Sequence, residues 1–175
     1  MQYIKAVYIS KGGYVKVIFV TLGSQKFQFN RMLKVIDELI EKGVIKEEVF
    51  AQTGASDYEP KNYKYKAFLD RNQFADIMEK SHMVITHGGT GAIIGAVKKG
   101  KKVIAVPRLA KYGEHVDDHQ LQLLKQFDEL GIICPCYDLK KLGKCYEEIG
   151  NMTFNKYESN TQTIISSIEE FIESI

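Results

Sequence analysis

Several things are scarce in this chain. Its 175 residues include three cysteines, Cys134, Cys136 and Cys145. An odd count without framework spacing argues against a disulfide scaffold and fits a reducing cytoplasm. Cys134-Pro135-Cys136 would give a metal only two ligands, so the thiols read as structural. No apolar run approaches the ~20 residues that span a bilayer. Met1 to Val20 lacks an unbroken apolar core followed by a small-residue cleavage site, so no signal peptide is expected. The net charge of +2 gives no general case for nucleic-acid or membrane attraction. Lys98, Lys99, Lys101 and Lys102 cluster, and read as a solvated face, with an anionic membrane surface or partner as the sharper alternative. Repeats, linkers and low-complexity tracts are absent.

What is present is a core-forming pattern. Hydrophobic residues make up 45% of the chain, and the length suits one domain. Short apolar runs alternate with helical patterns, which predicts parallel βαβ units. Strands are predicted over Val15–Val20, Val49–Thr53, Tyr63–Phe68, Met83–Thr86, Lys102–Val106 and Ile132–Cys134. Helices are predicted over Phe27–Lys42, Asn72–Lys80, Thr90–Lys98, Asp117–Leu130, Leu139–Ile149 and Ser159–Ile175. Residues 1–14 stand apart behind Gly12-Gly13 as an extension of undecided structure, leaving 15–175 as the domain.

In open parallel sheets, ligands bind beyond the carboxyl ends of the strands. Three loops belong there: Thr21 to Gln25, His87 to Gly91, and Pro107 to Asp118. The glycines of Gly88-Gly89-Thr90-Gly91 let a phosphate approach amides at a helix N-terminus. The Thr90 hydroxyl and His87 are further candidate donors, against the plainer reading of a tight turn. Thr21, Gly23 and Ser24 form a weaker anion loop, and Arg108 is either a phosphate-neutralising group or a surface cation. No acid closes the next strand, which ends Val106-Pro107-Arg108, so a dinucleotide is not indicated; nor is there a Gly-Lys-Ser/Thr for a P-loop.

The segment Glu114-His115-Val116-Asp117-Asp118-His119-Gln120 gathers carboxylates, imidazoles and an amide where a helix begins. Asp117 or Asp118 would cap that helix. His115 and His119, four apart, could share a face and bind zinc, but Val116 stands where a metalloprotease motif has its glutamate. A site for sugar hydroxyls or a nucleotide explains the cluster better.

Taken in order, Phe19 to Ser24, Ile85 to Gly91, Val106 to Arg108 and Glu114 to Gln120 resemble the Alg13-like, C-terminal half of glycosyltransferase family 28. Within it the chain is most similar to bacterial PssE/EpsF-type polysaccharide-biosynthesis subunits, from about Val15 onward. The resemblance implies an α/β, Rossmann-like parallel sheet with flanking helices, the donor-binding domain of a GT-B enzyme. It implies a UDP-sugar substrate, no metal or other cofactor, and a lipid-linked saccharide acceptor in capsule or exopolysaccharide synthesis. The other half would be a separate Alg14-like membrane-anchored subunit, holding this chain at the cytoplasmic face and supplying the base, so no catalytic residue is assigned here. Thr21, Gly23, Ser24, His87, Gly88, Gly89, Thr90, Gly91 and Arg108 would line the nucleotide phosphates. Glu114, His115, Asp118, His119 and Gln120 would meet the donor sugar. Two departures matter: Gly95 stands where many relatives hold the ribose with a glutamate, and Ala92 where a serine is common. Ribose binding would then fall to another group such as Glu114. Gly95 also keeps open a non-catalytic enhancer of a partner transferase; a metal-dependent hydrolase using Glu114, His115, Asp118 and His119 is the remaining alternative.

Overall fold

A computed structural model describes residues 16–159 and Glu169. The extension over 1–14, Val15, and nearly all of the helix expected over Ser159–Ile175 lie outside the described residues. Six strands form one fully parallel sheet: β1 (Val17–Thr21), β2 (Glu48–Gln52), β3 (Lys64–Lys66), β4 (Ser81–His87), β5 (Lys102–Val106) and β6 (Cys134–Pro135). Their order is β3-β2-β1-β4-β5-β6. The chain builds outward from β1 and then returns to β4, so the topological switch falls between these two strands.

The helices are α1 (Asn30–Glu41), α2 (Arg71–Lys80), α3 (Thr90–Lys98), α4 (His119–Glu129) and α5 (Leu142–Ile149). They cover both faces, which is why β1 is apolar at successive positions rather than alternately. Ile18 and Val20 join Met32, Leu33 and Ile36 of α1 and Leu142 and Ile149 of α5 on one side. Val17 and Phe19 join Ile77, Ile93 and Leu124 of α2, α3 and α4 on the other. Cys134 and Cys136 are buried free thiols in the first of these clusters.

Local chemistry sets several boundaries. α1 begins later than predicted because the Gln28 side chain accepts the Asn30 amide. α2 carries a capping box between Asp70 and Gln73. The lysine cluster is held in local contacts: Lys99 pairs with Glu79, Lys101 Nζ donates to the Glu79 carbonyl, and Lys102 Nζ donates to the carbonyls of Ile149 and Gly150 at the end of α5. Lys98 lies over the Tyr157 ring. No helix of the described residues is long and apolar enough to cross a membrane.

Buried Asp37 fastens α1 to the β2–β3 connection, accepting from Tyr58 Oη, Lys61 N and Asn62 N. Asp37→Ala orphans these donors and should lower unfolding free energy by about 2–4 kcal/mol in denaturant melts.

Candidate functional site

The β1 and β4 loops meet at the switch point. β4 ends in His87, and Gly88-Gly89 turns the chain directly into α3. Gly89 is the N-cap and offers no side chain, so the first-turn amides of α3 lack a side-chain acceptor. Uncapped amides at the positive end of a helix dipole attract an anion. The turn itself has no room for side chains. A Cβ on Gly88 would lie 2.7 Å from Leu124 Cδ1 and 2.8 Å from Gln120 Cβ. Gly91, by contrast, is open, and Thr90 is exposed beside it.

His87 is wedged between two glycine loops. A Cβ on Gly23 would come within 2.7 Å of its Cε1, and one on Gly89 within 2.3 Å of its Nε2. Its Nδ1 lies 3.4 Å from the Thr21 carbonyl, which can only accept. The neutral tautomer therefore carries its proton on Nδ1 and leaves a lone pair on Nε2. In that tautomer Nε2 carries no proton to donate to a phosphate. Burial, reinforced by Arg108, pushes the imidazole pKa down from 6.5 to about 4, against the opposing pull of the Thr21 hydrogen bond.

A depressed histidine pKa means the folded state binds fewer protons than the unfolded chain between these values. Stability from this group is complete above pH 6.5 and is lost as pH falls through about 4, a loss on the order of 3 kcal/mol. Denaturant melts of the parent and His87→Gln across that window should show this component in the parent alone.

The loop after β1 is pinned from below. Arg108 Nη2 donates to the Leu22 carbonyl at 2.7 Å, and Gln52 Nε2 donates to the Gly23 carbonyl at 3.1 Å. Gly23 has φ 72, the left-handed region that favours glycine. Arg108 is no surface cation: it is 0% exposed, and its Nε and Nη1 have no hydrogen-bond partner among the described residues. Burial lowers its pKa to about 10, partly offset by Glu114, so it stays charged at neutral pH.

The acidic segment divides into a buried frame and an exposed rim. Glu114, 1% exposed, receives Arg31 Nε and Nη2 and the Leu109 amide. It is thus turned toward α1 and is not free to hold a ribose. Asp118 accepts from Ala110 N at 2.8 Å, bracing the loop instead of capping α4. Asp117, the residue before the Asp118 N-cap, accepts the His119 amide through Oδ1 at 3.0 Å instead. That bond is the first cause of its lowered pKa. Gln120 Oε1 accepts simultaneously from Gly88 N and Arg108 N, both at 3.0 Å, and so joins the glycine turn to the end of β5. Among the described residues Gln120 Nε2 has no hydrogen-bond partner.

His115 leans on Phe27 and approaches Asp117. Because α4 begins at His119, His115 lies off the helix and the two imidazoles share no helical face. Among the described residues no group of three or more His, Cys, Asp or Glu is placed to hold a metal. The groups open to a ligand are the α3 amides, the hydroxyls of Ser24 and Thr90, and His119, with Gln120 buried behind them.

Arg31 and Gln52 escape the sequence reading. Gln52 left a signal, a polar residue closing an apolar strand at its carboxyl end. Arg31 left none, since its partner lies 83 positions away. Phe68, 50% exposed beyond β3, adds an aromatic face to the same sheet edge.

This architecture and edge agree with one family. Residues 17–175 match the glycosyltransferase family 28 C-terminal domain. The chain belongs to that family. Its fold is that of the Rossmann-like C-terminal domain of GT-B glycosyltransferases. The glycotransferase of kitacinnamycin superposes with a TM-score of 0.58 at 18% identity, covering 81% of this chain and 36% of that one. MurG of Acinetobacter baumannii gives 0.53 at 14%, covering 85% and 44%. The solution structure of ALG13 gives 0.53 at 17%, covering 87% and 94%. The domain thus spans about a third of the kitacinnamycin enzyme's length and nearly all of ALG13. None of the curated proteins matches by sequence.

Proposed function

We propose that this domain binds the UDP-sugar donor of an inverting glycosyltransferase and transfers a sugar only together with a second, Alg14-like subunit. The observation that carries the reading is the uncapped N-terminus of α3, opening at the switch point between the β1 loop and Gln120. Family membership and the ALG13 likeness support it.

The diphosphate would lie on the α3 amides, with the Ser24 and Thr90 hydroxyls beside it. His119 and Gln120 Nε2 would meet the sugar, and Phe68 offers a face for the base. As the donor bond breaks, negative charge grows on the diphosphate, where fixed amides stabilise it without reorganising. Deprotonating the acceptor hydroxyl requires a base, assigned here to the partner, with a lipid-linked saccharide as acceptor. Such a complex would work at the cytoplasmic membrane face, in capsule or exopolysaccharide assembly of the PssE/EpsF type. Gly95 leaves the ribose without a carboxylate from α3, although the position has room for a side chain.

The test combines the chain, an Alg14-like partner encoded beside it, a panel of labelled UDP-hexoses and a lipid-linked saccharide. Transfer should require both proteins. Transfer by this chain alone would overturn the divided site, and no transfer from any UDP-sugar by the pair would overturn the donor assignment.

A further inference from the structure

We propose that Arg108 is a positioning residue for the anion site, acting on the β1 loop from beneath without touching the ligand. The inference rests on the nucleotide-diphosphate reading and adds a residue that works behind the contact surface. Arg108 is fully buried, and its Nη2 holds the Leu22 carbonyl. Because a peptide unit points its C=O and N–H in opposite directions, drawing the Leu22 oxygen inward turns the Gly23 amide away from Arg108. Gln52 does the same to the next peptide through the Gly23 carbonyl, which turns the Ser24 amide away from Gln52. The Gly23 amide then meets Thr21 Oγ1 at 3.4 Å, and the Ser24 amide is set as the loop's donor facing away from its buried anchors.

Charge adds to geometry. Two guanidinium groups, Arg31 and Arg108, lie near one buried carboxylate, Glu114. Arg31 and the Leu109 amide already take that carboxylate. Among the described residues Arg108 Nε and Nη1 have no hydrogen-bond partner, and the Phe29 ring lies 5.7 Å from Cζ. A buried cation short of a counter-charge is screened weakly, so its field favours an anion bound above the loop. At the β4 end of the site the same cation adds to burial in lowering the His87 pKa. Arg108 therefore favours phosphate over the uncharged part of the same ligand.

The experiment titrates UDP and uridine into the full chain, its Arg108→Met variant and its Arg108→Lys variant, with thermal melting as a folding check. Arg108→Met should lose UDP affinity by roughly tenfold or more, the scale of one charge-assisted interaction. Uridine affinity should stay within about twofold, and Arg108→Lys, which restores the cation, should regain most of the UDP preference. A folded Arg108→Met variant that binds UDP like the parent overturns the proposal, as does equal loss of UDP and uridine. If the methionine variant does not fold, Arg108→Lys decides: a folded lysine variant that has lost its preference for UDP over uridine also overturns it. Failure of the parent to bind UDP overturns the diphosphate reading itself, and the inference with it.

Discussion

Gly89→Ala should weaken UDP binding by roughly ten- to hundredfold while the domain stays folded, the range that overpacking costs imply. The new Cβ would lie 2.3 Å from His87 Nε2, closer than any real contact. His87 cannot retreat, because Gly23 closes the other side of its ring. The turn must therefore shift, and with it the amides of α3 that it aims. Gly91→Ala adds the same methyl two residues later, into open space, and should change UDP affinity little. Removing the obstacle should help: His87→Ala with Gly89→Ala should bind UDP better than Gly89→Ala alone. Calorimetry on the parent, Gly89→Ala, His87→Ala and the double variant reads this as a coupling energy. Additive effects would show that the imidazole is not what restricts the turn.

Gln120→Ala should cost about 2–4 kcal/mol of stability, read from denaturant melts, because it orphans two buried amides at once. Those amides, Gly88 N and Arg108 N, lie on the β4 and β5 loops. Their loss should therefore also loosen the anion site. Gln120→Glu keeps an acceptor for both and should recover most of the stability. His119→Ala, at an exposed position on the rim, should change stability by less than about 0.5 kcal/mol. The pair of neighbours thus separates two roles the sequence merged: His119→Ala tests the proposed donor-sugar contact alone, and Gln120→Ala tests the frame as well.

That merging shows where the sequence was readable. β4 and β5 are apolar runs ended by His87 and Pro107, and α3 and β5 fall where periodicity puts them, at Thr90–Lys98 and Lys102–Val106. β3 and β6 are shorter than predicted because they are edge strands with one neighbour each. The start of α4 is two residues late because Asp118 sits at its N-cap in non-helical backbone, with Asp117 before it accepting the His119 amide. The carboxyl-edge loops were also visible, since strand order alone gathers them. Side-chain roles were less so. Glu114 and Asp118 look like free carboxylates in a polar cluster, yet Arg31 and the Ala110 amide hold them. Gln120 meets Gly88 across 32 positions. No local pattern encodes such partners; they exist only once the βαβ units have stacked.

The proposed nucleotide-diphosphate site is the α3 turn at the β1–β4 switch point. An amide-resolved NMR titration of the isotope-labelled full chain with UDP tests it most directly. Shifts should centre on Ser24 and on Gly88 through Ala92, with Gln120 following through its bond to Gly88. Saturable binding that leaves these amides unmoved, or that perturbs the opposite edge around Glu47 and His82 instead, would contradict the account.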